Sequence, residues 1–463
     1  MIAPNRRLLL ALAVLAVLSR VAWVVWVHPP QDFDFKDMHA YLEHARRLVE
    51  HGLAPDRSMA FQAWGTHALL AVPIALFGGA NLLPAALLWA AMGAAAVPIT
   101  YLLACRVCAR PGVAAAVGVA ALLWYPNLAN TGLFLSETPF MCALVATVWR
   151  LVVLLQDGRG APGCGALAAC CVALRPEVAL FFALAAGLWW WSRGRSPAGW
   201  RHVAIVAAPV VLVLLFSLWH FHRHTGRWGG IAESARANLT PARCHHPWVQ
   251  TFDKAEQLDR GPGLKAGSVY GVVSYYEMLQ RGDAAPFALR PAFGTTARAL
   301  EIAGPDGPMK VRVSPGGVSL QYVGHRADPR IHAAIQRACV AQTGWAGQLR
   351  VSAVNLGGLW FWNSHWPDNT RGGEPFRPWS DFFIKVFQWG VLAPSLLGVG
   401  LALRRARADP GLAVCALAIV AMMIVAAVWF GAIRLRTPYD PLALLLAAEA
   451  YAWLVVRRGV TGP

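Results

Sequence analysis

Apolar runs close to membrane-crossing length alternate with short, Arg-bearing connectors along most of the chain. The first run covers residues 8–27 and follows Arg6 and Arg7. It ends at Val27-His28-Pro29 without a small-residue cleavage site, so it reads as an uncleaved anchor with its N-terminus inside. Further runs lie at 81–104, 111–129, 138–155, 161–174, 177–191, 203–221, 382–403, 411–431 and 440–456. A straight span needs roughly 20 apolar residues. Residues 161–174 and 177–191 are the shortest runs and meet at Arg175-Pro176-Glu177. They predict two short spans or a broken pair facing protein rather than lipid. Residues 66–77 are shorter still and predict an interfacial or re-entrant helix.

Composition agrees with that pattern. The 463 residues are 57% hydrophobic and only 14% charged, against about 25% charged residues in a soluble domain. An ordinary soluble enzyme, a disordered chain and a small secreted scaffold are excluded. The predicted fold class is an all-α polytopic membrane protein of about ten transmembrane helices, with a mixed α/β extracytoplasmic insert.

The net charge of +17 changes the picture only through its placement. It could suggest nucleic acid, but the arginines sit in short connectors, where the positive-inside pattern puts them. The expected partner is a lipid bilayer, with no nucleic acid. Ten spans put both termini inside. The six cytoplasmic segments are then the N-terminus, Arg106–Arg110, Gln156–Gly160, Arg193–Arg201, Arg404–Arg407 and Arg457–Arg458, and all carry Arg. Only 5 of the 41 Lys+Arg are lysine, which fits a GC-rich bacterial gene and a bacterial inner membrane.

The chain divides into an N-terminal membrane module (1–221, with a first outside loop at 28–80), an outside insert (222–380) and C-terminal helices (381–463). Residues 295–323 predict a β-meander with turns at Gly304-Pro305-Asp306-Gly307 and Pro315-Gly316-Gly317. Residues 329–342 predict a helix. Cys244 and Cys339 are the two cysteines outside by this topology. An oxidising compartment would join them in a disulfide; two buried thiols are the alternative.

Candidate chemistry gathers in the outside segments. The first loop begins Gln31-Asp32-Phe33-Asp34-Phe35-Lys36-Asp37-Met38. Met38, Leu42, Ala45 and Val49 share one face of a helix that Gly52 ends. Asp37 is either the N-cap of that helix or a carboxylate poised to deprotonate an acceptor hydroxyl. Asp32 and Asp34 form a DxD that could hold a divalent ion; metal is possible there but not favoured, and no cofactor is expected. Glu137, in Ser136-Glu137-Thr138-Pro139, starts a helix at the edge of an apolar run, where an acid needs a cavity or a partner. Arg175 could pair with it or act directly. Arg20, in the outer half of the first span, could merely snorkel. Arg434 and Arg436 break the outside depletion of positive charge, and an anionic ligand or lipid headgroups would explain them. His220, His222 and His224 alternate, which argues against one shared helical face and marks a span end.

Four of these features together resemble the GT-C superfamily of integral-membrane glycosyltransferases, specifically the family 39-like protein O-mannosyltransferase and aminoarabinose transferase relatives. They are Asp37 with Tyr41 in a first outside loop, Leu135-Ser136-Glu137-Thr138-Pro139-Phe140, Leu174-Arg175-Pro176-Glu177, and Arg434-Leu435-Arg436-Thr437-Pro438. The resemblance implies a polyprenyl-phosphate sugar donor and a glycan, lipid or protein acceptor. It implies that Asp37 is the catalytic acid of that loop, with Asp34 as the fallback. Arg434 and Arg436 would contact the donor phosphate, with Glu137, Arg175, Tyr41 and Arg20 as further substrate-side candidates. The place where the family often has a Pro-rich stretch reads Ala63-Trp64-Gly65-Thr66-His67 here. A transporter or flippase of a lipid-linked sugar, and a non-catalytic assembly protein, are the alternatives; internal repeats, common in transporters, are not seen.

Overall fold

The computed structural model describes the chain except residues 1, 35, 194–196, 245–246, 253–268, 271–298, 305–306, 315–316, 324–328, 362–375, 430 and 461–463. It forms two compact units. One comprises Met1–Ile231, Asn363–Met422 and Arg434–Pro463; the other comprises Ala232–Trp362 and Met423–Ile433.

The first unit is a polytopic helical membrane body. Its helices are α1 (Arg6–Ala22), α2 (Lys36–His51), α3 (Gly65–Phe77), α4 (Leu83–Val107), α5 (Pro111–Leu123), α6 (Tyr125–Thr131), α7 (Glu137–Asp157), α8 (Ala161–Leu174), α9 (Ala179–Arg193) and α10 (Pro197–Thr225), followed by Arg377–Val386, Ala393–Arg404, the larger part of Pro410–Val428, Ile433–Arg436 from Arg434 onward, and Asp440–Val460. Among the described residues, seven helices are long and apolar enough to cross a membrane. The pair α5 and α6, bent by 44° between Leu123 and Tyr125, is apolar enough to make an eighth if it is counted as one broken span.

The two remaining predicted spans are α8 and α9, at 14 and 15 residues. At about 1.5 Å per residue each reaches only about 21–23 Å, short of a hydrocarbon core of about 30 Å. A short 3₁₀ turn, Pro176–Val178, separates them. Residues Gly65–Phe77 form the expected short helix, with Pro73 inside it.

The ends of these helices sort into two sets. At one end the Asn5 backbone N–H meets the Tyr101 hydroxyl (3.0 Å), and Arg106 pairs with Asp157 (2.9 Å). At the other, His28 bonds the Gly132 carbonyl (3.1 Å) and His224 Nδ1 accepts the Asp56 N–H (3.1 Å). The alternation places the first loop, the start of α7 and the end of α8 together, as the Arg pattern of the connectors requires.

Helix α2 lies in that loop and is held by its apolar face. Met38, Leu42 and Ala45 are buried against Trp23, Leu70, Trp89 and Phe134, while Val49, near the last turn, stays exposed. The start of α3 packs closely on the end of α8: a Cβ at Gly65 would lie 2.5 Å from the Ala173 carbonyl oxygen. Only glycine permits that approach, and it fixes the chain just before Arg175. On α10, His220 and His224 are one turn apart and their rings lie 4.4 Å apart, whereas His222 turns away to stack on Trp228. Alternation thus separates His222 but leaves an i,i+4 pair on one face.

The second unit is mixed α/β. Its strands are β1 (Pro247–Phe252), β2 (Val269–Tyr270), β3 (Ala299–Gly304), β4 (Gly307–Ser314) and β5 (Gly317–Val323), in the order β2-β1-β5-β4-β3. The meander is present, with Gly304 opposite Gly307 and Ser314 opposite Gly317 at its two turns. Two strands extend it: β1 runs parallel to β5, with Val249 opposite Leu320, and β2 pairs antiparallel to β1. Helix α11 (Glu233–Cys244) packs on α12 (Pro329–Trp360). The predicted helix from residue 329 runs to a break at Gly344 (φ 59°), and a further helical stretch continues from there to Trp360. The Cys244 and Cys339 side chains lie outside the described residues.

Candidate active site

Four separate segments bring charged side chains into one ladder at the loop end of the membrane unit. Arg434 Nη1 donates to Asp37 Oδ2 at 2.8 Å, and Arg434 Nε donates to Glu137 Oε1. Arg175 Nη2 donates to the same Glu137 oxygen at 2.7 Å, and its Nε donates to Ser136 Oγ at 3.1 Å. The charges alternate from Asp37 through Arg434 and Glu137 to Arg175.

The ladder runs from solvent into protein. The Asp37 side chain is 46% exposed, Arg434 19% and Glu137 1%. Its two ends therefore differ in strength. An exposed ion pair contributes up to about 1 kcal/mol. Removing one partner of a buried pair costs about 3–5 kcal/mol, because the other charge is left without compensation. Arg175 also lies over the Phe140 ring (5.4 Å), a favourable place for a guanidinium. Glu137 Oε2 is buried without a hydrogen-bond partner among the described residues.

Asp37 falls inside the first turn of α2, which begins at Lys36. Its carboxylate is engaged with Arg434 and does not act as the N-cap. The position still suits a negative charge, since helix N-termini carry partial positive charge.

Tyr41, one turn further along α2, is buried beside the same cluster. Burial, and then the neighbouring charges of Asp37 and Glu137, push its hydroxyl well above the usual tyrosine range. It stays protonated and can only donate or accept a hydrogen bond.

The other candidates lie apart from this ladder. Asp34 Oδ2 meets His39 Nδ1 at 3.2 Å on the exposed side of the loop. Arg436, two positions after Arg434, turns into the protein. Its Nε donates to Asp440 Oδ1 (2.9 Å), Trp124 Nε1 donates to Asp440 Oδ2 (2.8 Å), and the guanidinium lies 3.5 Å from the Phe387 ring centroid. The spacing of Arg436 and Asp440, four apart in a helical stretch, was the available signal for this pair. Arg20 is buried rather than snorkelling: its Nη1 donates to Ser19 Oγ (2.9 Å) and to the Leu122 carbonyl (3.1 Å). Among the described residues no three His, Cys, Asp or Glu side chains converge in a group that could hold a metal ion.

His28 is a structural residue that sequence reasoning passed over. It stacks on Phe33 (3.5 Å, 11°), and its Nδ1–H is placed to donate to the Gly132 carbonyl. Burial pushes its imidazole down to about 4. The ring ties the end of the first span to the segment before α7, and so fixes the frame around Asp37 and Glu137.

No protein-family profile and no curated protein matches the sequence. Among solved structures the chain is similar to ArnT from Cupriavidus metallidurans bound to undecaprenyl phosphate. The identity is 15%, the match covers 97% of this chain and 78% of that one, and the TM-score is 0.34.

Proposed function

We propose that this protein is a membrane glycosyltransferase of GT-C type. It moves a sugar from a polyprenyl-phosphate donor to an acceptor hydroxyl at the outer face of a bacterial inner membrane. The observation that carries this reading is the meeting of Asp37, Glu137, Arg175 and Arg434, which belong to the four sequence features that resemble that superfamily, in one ion-paired cluster.

The chemistry follows from that cluster. The acceptor oxygen attacks the anomeric carbon, the carbon–oxygen bond to phosphate breaks, and its electron pair leaves with the phosphate. The leaving group departs as an anion, so it needs cationic stabilisation rather than a proton. Arg434 supplies this through guanidinium N–H donors, which suit phosphate oxygens. The acceptor proton goes to Asp37, the half-exposed carboxylate of the ladder. The arrangement resembles one half of an inverting glycosidase pair. Glu137 and Arg175 hold Arg434 in place from the buried side. Arg436 serves the packing of the last helix through Asp440.

Purified protein in detergent, given donor with a radiolabelled sugar, tests the reading. Release or transfer of label without any sealed compartment is expected. A flippase would move the intact donor across vesicles and leave the sugar bond whole, and that result would overturn the proposal.

A further inference from the structure

Among the described residues Arg434 serves two carboxylates at once, and one of them faces solvent. The bond to Glu137 ends on a side chain that is 1% exposed; the bond to Asp37 ends on one that is 46% exposed. An anion reaching Arg434 from the open side therefore meets a guanidinium edge already engaged by Asp37. The buried bond has no such access, and Arg175 reinforces it from the far side.

We propose that Asp37 and the donor phosphate compete for Arg434, so that donor binding releases the carboxylate that activates the acceptor. This rests on the glycosyltransferase reading above. Without donor, Arg434 Nη1–H points at Asp37 Oδ2 and takes up a lone pair of the carboxylate oxygen that would receive the acceptor proton. When a phosphate oxygen takes over that N–H, Asp37 Oδ2 is free to accept a hydrogen bond from an acceptor hydroxyl. No covalent bond changes in this step; one charge-assisted hydrogen bond is exchanged for another. Glu137 is then a positioning residue: it keeps the guanidinium at the site throughout the exchange.

The consequence is an order of events. Until a donor is seated, an acceptor or water arriving first meets a carboxylate whose Oδ2 is engaged by Arg434. The asymmetry of burial decides which bond yields, since the exposed bond is the weaker of the two.

Competition predicts that removing the competitor tightens donor binding. Binding of undecaprenyl monophosphate is measured to the full chain in lipid nanodiscs, with undecaprenol as the uncharged control. Asp37→Asn is expected to bind the phosphate roughly three- to fivefold more tightly than wild type, the range an exposed ion pair allows. Binding of undecaprenol is expected to be unchanged. Asp34→Asn removes a carboxylate of the same loop that bonds His39 instead, and is expected to shift binding by less than about twofold in screened buffer.

Unchanged or weaker phosphate binding by Asp37→Asn, with wild type binding normally, overturns the competition alone. A wild type that binds undecaprenyl monophosphate no better than undecaprenol overturns the donor reading and the competition with it. Equal tightening by Asp34→Asn assigns the effect to net charge and also overturns the competition. Glu137→Gln, with its weakened hold on Arg434, is expected to bind the phosphate more weakly than wild type. Tighter binding in that variant would contradict the positioning role.

Discussion

Asp37 and Arg434 are 397 positions apart, yet the Arg434 guanidinium donates to the Asp37 carboxylate at 2.8 Å. One lies in the loop after the first span, the other just before the last. Their meeting places a half-exposed base beside a cation that a buried carboxylate holds from behind.

Arg434→Ala is expected to raise the donor KM by tenfold or more, because the phosphate loses a charge-assisted contact of about 1.5–3 kcal/mol. Arg434→Lys should recover part of this, since an ammonium supplies charge without the fork that reaches Glu137 and Asp37 together. Steady-state kinetics over a donor titration checks both. A donor KM unchanged in Arg434→Ala would assign this arginine to lipid headgroups.

Glu137→Ala removes the shared oxygen acceptor of Arg175 and Arg434. It leaves two cations facing each other and is expected to cost about 3–5 kcal/mol. Thermal unfolding of the detergent-solubilised protein should show a clear fall in midpoint. Glu137→Gln, which keeps volume and one acceptor oxygen, should fall less.

For Arg436 and Asp440 the expectation separates structure from catalysis. Asp440→Ala leaves Arg436 buried and without its carboxylate, and should destabilise strongly. The double replacement Arg436→Met with Asp440→Leu should be less damaging than Asp440→Ala alone. It should retain a donor KM close to wild type if it accumulates. A large KM increase in the double variant would return Arg436 to the donor site.

His28 gives a pH dependence with a definite sign. Its imidazole titrates near 4 in the folded protein, because burial disfavours the charged form, and near 6.5 when unfolded. Between those values the unfolded state binds more protons, so this residue's contribution is fully present above about 6.5. It is lost as pH falls toward about 4. His28→Gln should flatten that part of the stability curve while lowering stability at neutral pH. Midpoints measured from pH 7.5 down to pH 4.5 test this, and equal slopes in both proteins would remove His28 as the cause.

Much of the architecture was legible because lipid imposes a simple rule: long apolar runs, with arginine on one side. The β-meander was legible too, since Gly304 to Gly307 and Pro315 to Gly317 mark its turns and the strands between them pair in that register. Strand β1 escaped notice because its six residues pair parallel to β5, a partner far along the chain, and no turn announces it. At the site, Glu137, Arg175 and Arg434 stood out as charges at the edges of apolar runs, where each needs a partner. The partners themselves could not be read, because no spacing rule links residues so distant in sequence. Proximity in sequence groups Arg436 with Arg434, but two positions of separation in a helical stretch turn the side chains different ways. His28 carries no sequence pattern of its own, because a buried histidine is held here by the Gly132 carbonyl and by stacking on Phe33 and Trp23.

The most direct test of the account is single-turnover sugar transfer from labelled polyprenyl-phosphate donor by purified wild type and Asp37→Asn in detergent. The account predicts that the wild type transfers. The variant inserts and accumulates normally, because Asp37 is half exposed, and loses transfer by a factor on the order of 10²–10⁴. Transfer by Asp37→Asn at a near-wild-type rate would contradict it.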